Sequence, residues 1–232
     1  MTVPTDSAQR TSIADTLAVY LPKLSAPMIK DVKSRLRALP QGGTPTMGLR
    51  GAEEKTLDWF VHKVKGAKDK ESLVSFLGWM TGGEKINRAE TAEKARAFLA
   101  ECGGNVEGVV RFAEEAKPSY ALVAGKLALP LDQFEEEAAR EAKKQAGNPV
   151  FKVLFPALNN VRRSQARADV RRTLLSAALA VQEGGRAALT NHPDPVVGGT
   201  FDYVAFDGGF ELRSKWTTEG KAITLTVGRR AP

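Results

Sequence analysis

The feature that most restricts the fold is a change of hydrophobic period near residue 190. Upstream, apolar residues recur three and four positions apart, the spacing of one helix face; downstream, they alternate, the spacing of one sheet face. Asn191-His192-Pro193-Asp194-Pro195 and Gly198-Gly199 separate the two regimes, and both are loop chemistry. In 200–206, Phe201, Tyr203 and Ala205 fall on one side; in 210–216, Phe210, Leu212 and Ser214 do. Asp207-Gly208-Gly209 between them is a hairpin turn, where glycine takes the positive φ at little cost. Residues 222–227 are a third strand with Ile223, Leu225 and Val227 facing one way. A hairpin alone is marginal in water, so these strands must pack on something. The expected platform is one long helix from about 150 to 188, kinked at Pro156.

The expected class is therefore α+β: a mostly helical N-terminal part and a small antiparallel C-terminal sheet. Residues 1–11 are expected to be disordered, 12–147 to form a helical domain, and 148–232 the long helix with its three strands. Within the helical part, Ser12 serves as an N-cap before a face of Ile13, Leu17, Tyr20 and Leu21. A second helix from Ser25 to about Leu39 carries Met28, Val32, Leu36 and Leu39. Residues 40–48 are a loop. Leu57, Phe60, Val61 and Val64 mark the clearest amphipathic helix, flanked by Trp59. Later helices open at Asp69 or Ser72, at Asn87 and at Asn105, the last running to Lys117, with a short separate helix from Pro118 to Leu129 and a charged one over 130–145. The expected core residues are Trp59, Phe60, Leu77, Leu158, Leu175, Phe201, Tyr203 and Leu212.

The chemistry-bearing residues are few. Cys102 has no second cysteine to pair with and reads as a small buried residue. His62 lies within a helix. His192 stands two residues from Asp194, a pair that could orient an imidazole for hydrolysis if a nucleophile joined it. No nucleophile-elbow or phosphate-loop motif is present, and the glycine pairs are helix punctuation. Glu135, Glu136 and Glu137 are consecutive on one helix, so they point around its axis rather than converge on a metal. No cofactor and no metal site is expected.

Charge says more. The chain carries a formal +7, and between Lys143 and Leu175 eight basic residues face only Asp169. Arg163, Arg167 and Arg171 are spaced i, i+4, i+8 and share a helix face, with Arg172 beside them. Val161, Ala168 and Leu175 lie on another face. Guanidinium groups so arranged could lie along phosphates; they could equally pair with carboxylates of neighbouring helices. No aromatic residue is interleaved, which argues against stacking on single strands.

Leu154-Phe-Pro-Ala-Leu158, Gln165-Ala-Arg-Ala-Asp169, Arg171-Arg172 and Leu174-Leu-Ser-Ala-Ala-Leu179 resemble a recurring segment of uncharacterised planctomycete-type proteins. So do Asp194-Pro195, Phe201-Asp-Tyr203 and Asp207-Gly-Gly-Phe-Glu-Leu-Arg-Ser214. The helix-then-sheet ending is also similar to pseudopilin globular domains. That resemblance implies a local fold and no activity, and the apolar N-terminal pilin helix has no counterpart here. The expected function is a non-enzymatic structural or protein-interaction protein, with the cell envelope as one setting for it. The alternative is nucleic-acid or polyanion binding through Arg163, Arg167, Arg171 and Arg172. No apolar run is long enough to span a bilayer. With polar residues at 1–10, the expectation is the periplasm or cell envelope if a leader has been removed and the cytoplasm otherwise.

Overall fold

The computed structural model describes residues 14–38, 52–82, 88–218 and 220–230. The expected disorder of residues 1–11, the Ser12 cap, Ile13, Leu39, the 40–48 loop and the helix start at Asn87 lie outside them. Helix α1 covers 14–20 and runs into a 3-10 turn, Leu21–Lys23. The other helices are α2 (Ala26–Ala38), α3 (Ala52–Lys65), α4 (Lys70–Gly82), α5 (Arg88–Glu101), α6 (Val106–Gly125), α7 (Leu131–Lys144) and α8 (Pro149–Gly184). A 3-10 segment, Arg186–Asn191, leads to β1 (Asp202–Phe206), β2 (Gly209–Thr218) and β3 (Lys221–Gly228). The α+β class holds, with the long helix packed on the sheet.

The division of the chain differs from the expected one. One compact unit takes in 14–38 and 163–230; the other takes in 52–162. The N-terminal helices leave the helical domain because Ala14, Ala18, Leu21 and Ile29 bury their side chains in the core under the sheet. Helix α8 contributes its first part to one unit and its second to the other.

The helical unit is built on the α3 stripe. Leu57, Phe60, Val61 and Val64 are all buried, with Leu73 and Leu77 of α4 and Phe151 and Leu158 of α8 in the same core. Local chemistry fixes the helix ends. Asp69 and Ser72 exchange hydrogen bonds at 2.8 and 3.1 Å, a capping box. Asn105 accepts from the Gly108 amide at 2.8 Å. Gly103 and Gly104, at φ 91° and 77°, close α5 with amides turned back to Ala100 and Leu99.

Pro118 does not divide α6. The proline costs the helix about 3 kcal/mol. Val109, Ala113, Ala116, Tyr120 and Val123 form one buried stripe across it, and burying Tyr120 and Val123 alone offsets that cost at roughly 1.5–3 kcal/mol per large apolar side chain. Trp59 is not core: it is 40 % exposed. Two positions from both Leu57 and Val61, it points off the stripe. Its ring meets Phe76 and Trp79 edge-on at 5.7 and 6.2 Å instead.

In the other unit, β1, β2 and β3 form an antiparallel sheet in that order. The Asp207-Gly208 turn joins Phe206 to its partner Gly209, with Gly208 at φ 82°. Phe210 pairs with Val227 and Leu212 with Leu225, all four buried on one face. That face meets Val170, Leu174, Ala177, Ala178 and Val181 of α8. Leu175 and Phe201 are buried as expected, whereas Tyr203 is only half-buried and stacks on Phe210 at 5.2 Å. Ala205 is exposed. On α1 and α2 the buried faces run through Ala14, Ala18 and Leu21, and through Ile29, Val32 and Leu36; Tyr20 and Met28 are exposed.

Leu212 is fully buried at the centre of the sheet. Leu212→Ala is expected to cost about 2–5 kcal/mol in urea denaturation; an unchanged midpoint would contradict the helix-on-sheet packing.

Candidate functional site

The four arginines expected to act together do not share a face. At 100° per residue, Arg172 lies well around the axis from Arg167. Arg163 and Arg167 are exposed. Arg171 is half-buried and binds Asp15 of α1 at 3.2 Å. Each i+4 step turns the row by about 40°, and this drift carries Arg171 against α1. Arg172, 59 % exposed, makes a loose 3.6 Å contact to Asp169 and looks the other way.

Where Arg172 points there is a cleft of about 260 Å³. Lys33, Leu36 and Arg37 of α2 form one wall, Arg172, Thr173, Ser176 and Leu179 of α8 the other, and His192 lies at its margin. Lys33 and Arg37 share a helix face by their i, i+4 spacing. Lys33 is bound by Glu183. Arg37 makes no ion pair among the described residues. Thr173 donates to the Asp169 carbonyl at 2.9 Å, while the Ser176 hydroxyl has no partner among the described residues. Three cations from two helices thus converge on a partly apolar hollow.

His192 is held below the usual histidine range, first by burial and then by the charges of Lys33 and Arg37. The folded protein therefore binds fewer protons there than the unfolded chain does. Stability contributed by the neutral ring is present above the unfolded value of about 6.5 and is lost as pH falls toward the lower folded value.

Asp194 does not orient His192. The buried Asp194 carboxylate accepts from the Val196 and Val197 amides at 2.9 and 3.3 Å and from the Ser214 hydroxyl. Its backbone is paired with Gly198 and Gly199. It is a loop clamp that ties the Pro-rich segment to β2. No hydrogen bond joins it to His192 among the described residues.

Glu211 is a second buried acid with a structural duty. It takes Arg213, Arg230 at 3.0 Å and Thr226 at 3.2 Å on the outer sheet face. Burial opposes its ionisation, but the Arg213 hydrogen bond and charge, with Thr226 and Arg230, hold its carboxyl below the ordinary range. A larger open hollow of about 460 Å³ lies beside it, lined by Val204, Phe206, Asp207, Arg213 and Arg230. Both its arginines are already paired to Glu211, so the cleft beside α2 has the less committed charge.

Cys102 is fully buried, its thiol pushed up to about 11 by burial and by Glu101. His62 is exposed on α3. Glu137 binds Lys126 and, at 2.6 Å, Arg140. Among the described residues no three His, Cys, Asp or Glu side chains gather as a metal ion requires, and no helix is long and apolar enough to cross a membrane. Lys33 and Arg37 were missed from the sequence; their i, i+4 spacing was a signal, but nothing placed it opposite Arg172.

Fold and cleft together describe an α+β protein with a basic cleft in its sheet-bearing unit. No family model matches the chain, and neither a curated protein nor a solved structure matches it.

Asp194→Ala would strip the Ser214 hydroxyl and two loop amides of their acceptor. The expected cost is about 1–3 kcal/mol by urea denaturation, with faster amide exchange at Val196 and Val197. Wild-type stability and exchange would show that Asp194 does not clamp the loop.

Proposed function

We propose that this chain is a non-enzymatic interaction protein that binds a polyanion through its sheet-bearing unit. The observation that carries the reading is where the charge lies. The described residues of that unit, 14–38 and 163–230, hold fifteen lysines and arginines against eight aspartates and glutamates. Those of the helical unit, 52–82 and 88–162, hold sixteen of each. Among the described residues, the basic surplus thus sits in one unit. Solubility asks only for net charge and has no need of such segregation.

Exposed Arg163 and Arg167, with the cleft cations Lys33, Arg37 and Arg172, supply the groups that would displace counterions from phosphates. Binding to duplex DNA should weaken steeply with salt, and Arg167→Ala should shallow the slope of log affinity against log salt by roughly 1. Absence of retention on duplex DNA at low ionic strength would end this reading.

A second reading, a structural subunit of an envelope assembly, draws on the long helix packed against an antiparallel sheet. It predicts concentration-dependent self-association in sedimentation; a monomer at every concentration would exclude assembly of this chain with itself.

A further inference from the structure

Three cations lining one cleft are held there at an electrostatic cost unless something offsets their mutual repulsion. Two carboxylates do so in part. Glu183 engages Lys33, and Asp169 reaches Arg172 only at 3.6 Å. Arg37 is left with no ion pair among the described residues. Leu36 and Leu179 supply apolar lining, which lowers the local dielectric and strengthens any charge-assisted hydrogen bond made inside. The Ser176 hydroxyl adds a donor with no partner among the described residues. Thr173, already donating to Asp169, offers none.

The chemistry that satisfies this set is a compact group with several acceptor oxygens and two negative charges. A carboxylate is planar and offers two oxygens. A phosphate group offers three or four in a tetrahedron, enough to reach both helices and the His192 margin. The cleft, at about 260 Å³, lies below the roughly 300–1,000 Å³ of drug-sized ligand sites and has ample room for one phosphate group.

We propose that the cleft between α2 and α8 is a binding site for one phosphate group, received by Arg37, Arg172 and the Ser176 hydroxyl, with His192 adding a second mode of hold when protonated. This rests on the polyanion reading and sharpens it: the cleft would take a terminal or isolated phosphate, while Arg163 and Arg167 meet a backbone.

His192 faces Lys33 and Arg37 from α2 and Arg172 from α8, with Glu183 and Asp169 as the carboxylates that pair with that set. The cations and burial disfavour its proton. A bound dianion reverses the local field, so the proton returns and binding tightens as pH falls through the histidine range.

The test is an NMR titration of the full chain, following the His192 ring, with inorganic phosphate, methyl phosphate and duplex DNA as separate probes. Saturable shifts of the ring and a raised His192 pKa are expected with phosphate. Arg37→Ala and Arg172→Ala should each weaken binding about tenfold or more, with thermal melts confirming that these exposed truncations fold. Methyl phosphate binding as tightly as phosphate identifies an esterified ligand; phosphate alone binding identifies the free ion. Sulfate, whose charge is constant in this range, should bind more tightly at pH 6 than at pH 8 in the wild type and equally at both in His192→Gln. A ring unmoved by phosphate and methyl phosphate at concentrations well above about 1 mM overturns the proposal, as does wild-type affinity in both arginine variants. If neither variant folds, the wild-type titration decides alone. Phosphate binding without DNA retention sinks only the wider reading; DNA retention without phosphate binding sinks only this one.

Discussion

The sheet-bearing unit depends on one burial. A three-stranded sheet exposes two faces, and unless one is covered it has too little apolar contact to stand. Here the cover is the second part of α8, whose Val170, Leu174, Ala177, Ala178 and Val181 lie against Phe210, Leu212, Ile223, Leu225 and Val227. The N-terminal helices add Ala18, Leu21 and Ile29 to the same core. Small alanine side chains on α8 thus share one core with the large side chains of the sheet. Everything chemical in the unit, from the Asp194 clamp to the basic cleft, is positioned by elements seated on that core.

Seating α8 this way also decides what its arginines can do. With one side of the helix turned to the sheet, Arg171 is drawn against α1 and meets Asp15, while Arg172 opens into the space beside α2. A row drawn on an isolated helix is therefore dispersed into an exposed pair, an internal ion pair and a cleft residue. The two buried acids of the unit answer other needs. Asp194 satisfies amides of a loop that has no ladder partners, and Glu211 holds two arginines on the outer sheet face. Both are cases in which burying a charge is tolerated because hydrogen-bonding partners surround it. Neither gathers a histidine and a nucleophile around one reacting centre.

Local signals were legible wherever the physics is local. The α3 stripe, the Asp69–Ser72 box, the Asn105 cap and the Asp207-Gly208 hairpin depend on neighbours within a few positions, and each stands as its residues imply. Pro118 misled because its local cost was outweighed by a buried stripe running past it, a tertiary quantity. Trp59 misled because an aromatic beside a stripe can lie on either side of the boundary, and neighbouring Phe76 and Trp79 offered it ring contacts at the surface.

By itself the chain's pattern determined the class: helical spacing before residue 190, alternation after it, and a glycine turn that pairs the strands. It also determined the size of the basic surplus. Where that surplus sits was decided only by tertiary structure, since residues 14–38 join 163–230 through contacts more than a hundred positions apart in the chain. The same is true of the cleft. Lys33 and Arg37 meet Arg172 and His192 because apolar faces on α2 and α8 compete for one sheet-side core, and no spacing along a sequence encodes which polar faces are left opposite each other when that competition ends.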